Sequence, residues 1–139
     1  MAQRDLIRDQ IEQMGRVLGK ALADFLGFKS KGMINQGLEV SSQQLKSELD
    51  IDLGELTTLS NSDLKSYLLD RKFTVKHIEM LADYLSEVGK SKISDKNQTG
   101  KTYLNKSIVL YELVDEISRT ICFEREAKKS EMKTLYNNT

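Results

Sequence analysis

His77 and Cys122 are the only histidine and the only cysteine in the chain. They are the residue types that most often serve as base and nucleophile near neutral pH. A general base needs a positioned partner within hydrogen-bond reach, and the residues around His77 supply none. Its place in the first turn of a helix reads as a surface or internally satisfied residue. A catalytic thiol needs a basic neighbour or a helix N-terminus. Cys122 falls deep in a helical stretch, at a core-facing position, and reads as a buried, inert thiol. One histidine and one cysteine far apart in sequence do not make a metal site. Gly100-Lys101-Thr102 imitates the end of a phosphate-binding loop. The glycine that should stand five residues earlier is Asp95, and no strand precedes it. Glu112, Asp115 and Glu116 read as an exposed helix face, and no Glu-x-x-His pair of the diiron type occurs. The expectation is a protein that is not an enzyme, with no catalytic, metal or cofactor residues.

Aromatic residues offer a different chemistry. Tyr67, Tyr84, Tyr103, Tyr111 and Tyr136 could line a peptide groove, because tyrosine combines a large contact area with a polar tip. Core packing is the competing role. Tyr84 is the binding candidate, because its aromatic position recurs elsewhere in the chain as Phe25.

Composition narrows the partners. The chain has 139 residues, which fits one domain. Lys plus Arg equals Asp plus Glu at 21 each. Nucleic-acid binders draw most of their affinity from neutralising phosphates and show a basic excess, so no nucleic acid is expected. Arg125 to Lys133 is charged but mixed in sign and reads as a solvated helix end, with ordinary surface ion pairs among Glu124, Glu126, Lys128 and Lys129. No apolar run approaches the ~18 residues that suggest a membrane span. The first residues are too charged for a signal peptide. A cytoplasmic protein is expected, with no meaning attached to the sequon Asn97-Gln98-Thr99.

Helical elements must position all of these groups. Ile7, Ile11, Met14, Leu18, Ala21, Leu22 and Phe25 recur every three or four residues and predict an amphipathic helix over about 4–26, ending at Gly27. Lys29-Ser30-Lys31-Gly32 is a polar connector. Ile34, Leu38, Ser41, Leu45 and Leu49 predict a second, antiparallel helix, with Gly37 and Ser41 admitting a close neighbour. Residues 50–73 are irregular. Leu53, Leu56 and Leu59 suggest a turn or two of helix. Ser60, with Asp63 three residues on, caps a short helix that buries Leu64, Tyr67 and Leu68. Thr74 caps the next helix, whose stripe is Ile78, Leu81, Ala82, Leu85 and Val88, weakening or ending at Gly89. A final helix runs from about 101 to 125 or beyond. Its buried side is Leu104, Ser107, Ile108, Tyr111, Val114, Ile117 or Ser118, Ile121 and Cys122. The tail frays.

One internal match stands out. Leu22-Ala23-Asp24-Phe25-Leu26 recurs as Leu81-Ala82-Asp83-Tyr84-Leu85, each copy late in the first helix of a pair. With Gly32 followed by Gly37, the pattern of Tyr103, Ser107, Tyr111 and Val114, and the Val88-Gly89 pair, the chain resembles the tetratricopeptide superfamily over about 4–125. It is similar to a group of bacterial tetratricopeptide-like proteins. It departs from the family in lacking Trp and a closing Pro, in carrying Gly37 and Ser107 where Ala is usual, and in its period of 59.

The resemblance implies an all-α domain of antiparallel helical hairpins in a tetratricopeptide-like right-handed array of about five to seven helices. It divides as a hairpin over 4–49, an irregular middle over 50–73, a second hairpin over 74–128 and a tail over 129–139. It further implies a non-catalytic module that binds a protein or peptide on the face made by the first helix of each pair. The alternative is a structural homodimer built on the long N-terminal helix, with Leu6, Val17 and Leu26 beside the main stripe and facing the mate.

Overall fold

In the computed structural model the backbone is described from residue 2 and the side chains from residue 7, through residue 139. The chain is all-α. The described residues form seven helices, α1 (Ala2–Ser30), α2 (Ile34–Leu49), α3 (Leu53–Leu56), α4 (Asn61–Asp70), α5 (Val75–Ser94), α6 (Thr99–Ser118) and α7 (Phe123–Asn137). The side chain of Leu6 lies outside the described residues.

α1 does not end at Gly27. It continues to Ser30, and Gly32, with φ +73°, makes the turn. The Gly32 amide returns to Lys29 O and the Met33 amide to Phe28 O. These bonds satisfy carbonyls that a helix end would otherwise orphan. Gly27 sits in open space on the exposed side, so it is a tolerated interior glycine rather than a stop.

α1 and α2 form an antiparallel hairpin, and Gly37 sets how close they come. A Cβ there would lie 2.7 Å from Phe28 Cβ, so any side chain would force the helices apart. Leu18, Ala21, Phe25 and Leu45 fill the space between them and α5, all essentially without exposure. Val17 is also core, at 4% exposure, and so is not a contact for a dimer mate.

α5 is the axis of the molecule. From His77 through Ile93 none of its residues is exposed. α1 and α6 pack on it most closely, and α7 follows α6. Gly89 does not end α5. A Cβ on it would lie 2.8 Å from Leu104 Cδ2 and 3.0 Å from the Leu104 amide nitrogen, so the glycine lets α6 lie against the backbone of α5. The two copies of the internal match meet here. The Phe25 and Tyr84 rings stand edge to face with centroids 6.1 Å apart.

The middle segment forms two short helices. Asp52 caps α3 through a bond from the Glu55 amide, and Ser60 caps α4 through one from Asp63. Leu53, Leu56, Leu64 and Leu68 are buried. Lys106 Nζ on α6 donates to Leu59 O at 2.6 Å, and Lys65 pairs with Glu116 at 2.9 Å. The segment therefore covers the side of α6.

The largest departure lies at the C-terminus. The expected continuous helix breaks after Ser118, turns at Arg119 (φ 56°) and starts again at Phe123. Ile121 and Phe123 are 81% and 96% exposed, and Cys122 is exposed at the head of α7. α7 folds back beside α6, and only Arg125 and Met132 of its residues are buried.

Candidate interaction surfaces

His77 is placed by the Thr74 cap. The Thr74 amide donates to His77 Nδ1 at 3.1 Å, and the His77 amide donates back to Thr74 Oγ1 at 3.3 Å. With Nδ1 accepting, the proton sits on Nε2, which donates to Ile11 O of α1 at 3.0 Å. The ring is 2% exposed and stands edge to face with Phe73. Burial pulls its pKa below the usual histidine value; Lys76 adds to this, and the bond to Ile11 opposes it. His77 is a satisfied structural clamp between α5 and α1. Cys122 is more than 40 residues away in sequence, and no contact joins the two.

Tyr84 is core, not surface. It is 1% exposed and its hydroxyl donates to Ser41 Oγ at 2.6 Å, while Ser41 passes its own proton to Gly37 O at 2.7 Å. Burial raises the phenol pKa well above its usual value. The recurrence of the aromatic position marks a packing role, because both copies meet at the α1–α5 contact. Tyr111 is equally buried and donates to Asp83 Oδ1 at 2.6 Å. Tyr67 receives the Arg71 guanidinium over its ring at 3.6 Å, and Tyr136 receives Lys101 at 4.3 Å. Tyr103 lines a small pocket with Leu38 and Leu53, so the five tyrosines do not converge on one groove. Gly100-Lys101-Thr102 opens α6, with Gly100 buried against Ile93.

Two surfaces stand out instead. The first lies beneath the N-terminal half of α1. α1 has 29 residues and α2 has 16, so at about 1.5 Å per residue the start of α1 overhangs the end of α2. The apolar stripe continues along the overhang with nothing to cover it. Ile7 and Ile11 are 52% and 40% exposed. With Met14 and Leu49 they line an open groove of roughly 1300 Å³. Its rim is mixed in charge, with Asp9, Glu12, Glu48 and Asp50 against Arg16, Arg71 and Lys72.

The second is the seam under α7. Arg125 Nε donates to Asp115 Oδ1 at 2.5 Å and its Nη1 lies 3.3 Å from Glu79. Lys128 pairs with Glu79 at 3.3 Å and Asp83 at 3.1 Å, and Lys129 with Asp115 at 3.1 Å. Asp115 is thus not on a free acidic face. Burial works to raise its pKa, but bonds from Arg125 and Lys129 outweigh that and hold the carboxyl below its usual range. Arg125 and Lys129 side chains are 7% and 14% exposed, so these pairs are not the ordinary surface pairs that the sequence suggests. Met132 closes the seam beside Leu22 and Leu26.

Among the described residues no group of three or more His, Cys, Asp and Glu side chains could hold a metal ion. No described helix is long and apolar enough to cross a membrane. Comparison of the chain with protein-family models, with curated proteins and with solved structures finds no match. The class that can be stated is an all-α protein of helical hairpins centred on a buried α5.

Proposed function

We propose that the chain is a non-catalytic interaction module that receives an amphipathic helix or extended peptide in the groove beneath the overhanging half of α1. The observation that carries this reading is the uncovered apolar stripe. Ile7 and Ile11 continue the spacing of Leu18, Ala21 and Phe25, yet they face solvent. Exposed apolar residues in line along a groove with a polar rim favour a docked partner more than scattered ones do. The mixed charge of the rim suits a protein better than a phosphate backbone.

A tetratricopeptide-like arrangement is part of the proposal. Its support is the neighbour order: α1 beside α2, α5 beside α6, and α1 beside α5. The small helices α3 and α4 form an insertion between the hairpins. An enzyme finds less support, because His77 has both ring nitrogens engaged.

The alternative of self-association uses the same groove, with α1 of a second copy as the occupant. Capture from cells with the wild type and with Ile7→Glu/Ile11→Glu tests the proposal. A partner bound at least about tenfold more weakly by the variant is expected, with protection of amides 7–14 and 47–50 in the complex. A partner that binds both proteins equally would sink it.

A further inference from the structure

The connector between α6 and α7 has features that its closed form does not account for. Arg119 is left-handed at φ 56°, a conformation that non-glycine residues adopt at a cost. After Gly32, Asp50, Lys72 and Lys96, the next amide returns to a carbonyl in the last helical turn, as Met33 does to Phe28 and Phe73 to Leu68. After Arg119 the Thr120 amide has only the Ser118 hydroxyl, at 3.3 Å. Ile121 and Phe123, the most exposed large apolar residues described, follow this turn at 81% and 96%.

The sequence does not call for a break. Ser118-Arg119-Thr120-Ile121-Cys122-Phe123 holds neither glycine nor proline. The four-three spacing of Leu104, Ile108, Tyr111 and Asp115 continues unbroken through Ser118 and Cys122 to Arg125, Lys129 and Met132. A straightened helix would carry one stripe from end to end.

We propose that α6 and α7 straighten into one helix and that α7 docks on a second copy of this chain, giving an exchanged-helix dimer. All but one of the side-chain hydrogen bonds and ion pairs that hold α7 are made to the body of the domain and not to the connector, so a second copy offers the same seat. Arg125, Lys128 and Lys129 find Glu79, Asp83 and Asp115 there, and Met132 is buried beside Leu22 and Leu26.

The register also fits. Arg125 faces Asp115, and Lys128 lies over the Tyr111 ring at 5.9 Å. These pairs are close to symmetric about Thr120. Two straightened helices crossing antiparallel at Thr120 therefore keep the same partners about a twofold axis, as an isologous contact requires. The crossing brings Ile121, which borders the stripe, toward the second copy, whereas Phe123, two residues on, points to the other side of the straightened helix. Opening also releases Arg119 from its left-handed turn. The one contact left behind is Arg125 Nη2 to Thr120 O.

The test uses the full chain and its oligomeric mass by light scattering. Wild type is expected to show a dimer at a few hundred micromolar. Arg119→Gly favours the closed turn twice over, since glycine accepts positive φ and disfavours a straight helix. It should weaken the dimer by roughly tenfold or more. A second arm separates exchange from ordinary contact. Arg125→Asp and Asp115→Arg each set like charges against one another within a single chain. Co-refolded from denaturant, the two variants should form a heterodimer in which each α7 meets a complementary body, with a melting temperature above either alone. A heterodimer supports the proposal whatever the wild-type equilibrium. A mixture that stays monomeric overturns it. So does a wild-type dimer that survives Arg119→Gly and is lost in Ile7→Glu/Ile11→Glu, which would place the contact on α1.

Discussion

At the scale of single residues, His77 shows how a reactive side chain can be wholly occupied by structure. Its ring completes the cap of α5 through Nδ1 and holds α1 through Nε2. Both roles need the neutral ring, since a protonated Nδ1 cannot accept the Thr74 amide. The depressed pKa means that the unfolded chain takes the proton first as pH falls. The stability linked to His77 is therefore full above its unfolded value, about 6.5, and is lost below that as pH falls toward the lower folded value. His77→Ala should cost about 2 kcal/mol at pH 7.5 from the two lost bonds. It should also remove most of the difference in urea midpoint between pH 7.5 and 5.5. A variant that kept the wild-type pH dependence would show that another group is responsible. The sequence left the histidine as either a surface or a satisfied residue, and its burial decides for the second. Its clamp on Ile11 was not legible there, because the two stand 66 residues apart.

At the scale of elements, the glycines separate local preference from packing. Gly27 and Gly89 look alike in sequence, each late in a helix with an apolar residue before it. Neither ends its helix. Gly27 is in open space, whereas Gly89 lies against the α6 backbone. Gly89→Ala improves helix propensity but places a Cβ 3.0 Å from the Leu104 amide nitrogen. We expect a net loss of roughly 2 kcal/mol, read as a shift in the urea midpoint without change in slope. A stabilised variant would mean that α6 moves away easily. Caps were the most legible feature. Ser60 and Thr74 both accept the expected amide, because the hydroxyl and its target are three residues apart and no distant partner is needed.

At the scale of the whole molecule, the central fact is the burial of α5. Flanked by α1, α6 and α7, it should be the last element to open. Hydrogen exchange should find its amides between Ile78 and Val88 the slowest in the chain. Those of residues 7–13, whose side chains are all exposed, should exchange orders of magnitude faster. Comparable protection in both would contradict the packing order described.

The sequence by itself determined the all-α class, most helix starts and the buried stripes of α4 and α5. These rest on periodicity and capping, which act within a few residues. Only the tertiary structure decided that Tyr84 is core, that Ile7 and Ile11 stay uncovered and that the last helix breaks after Ser118. Each depends on where one helix ends relative to another. An apolar stripe specifies that a face can be buried. Whether a neighbour reaches far enough to bury it is set by lengths and crossings that no local pattern records.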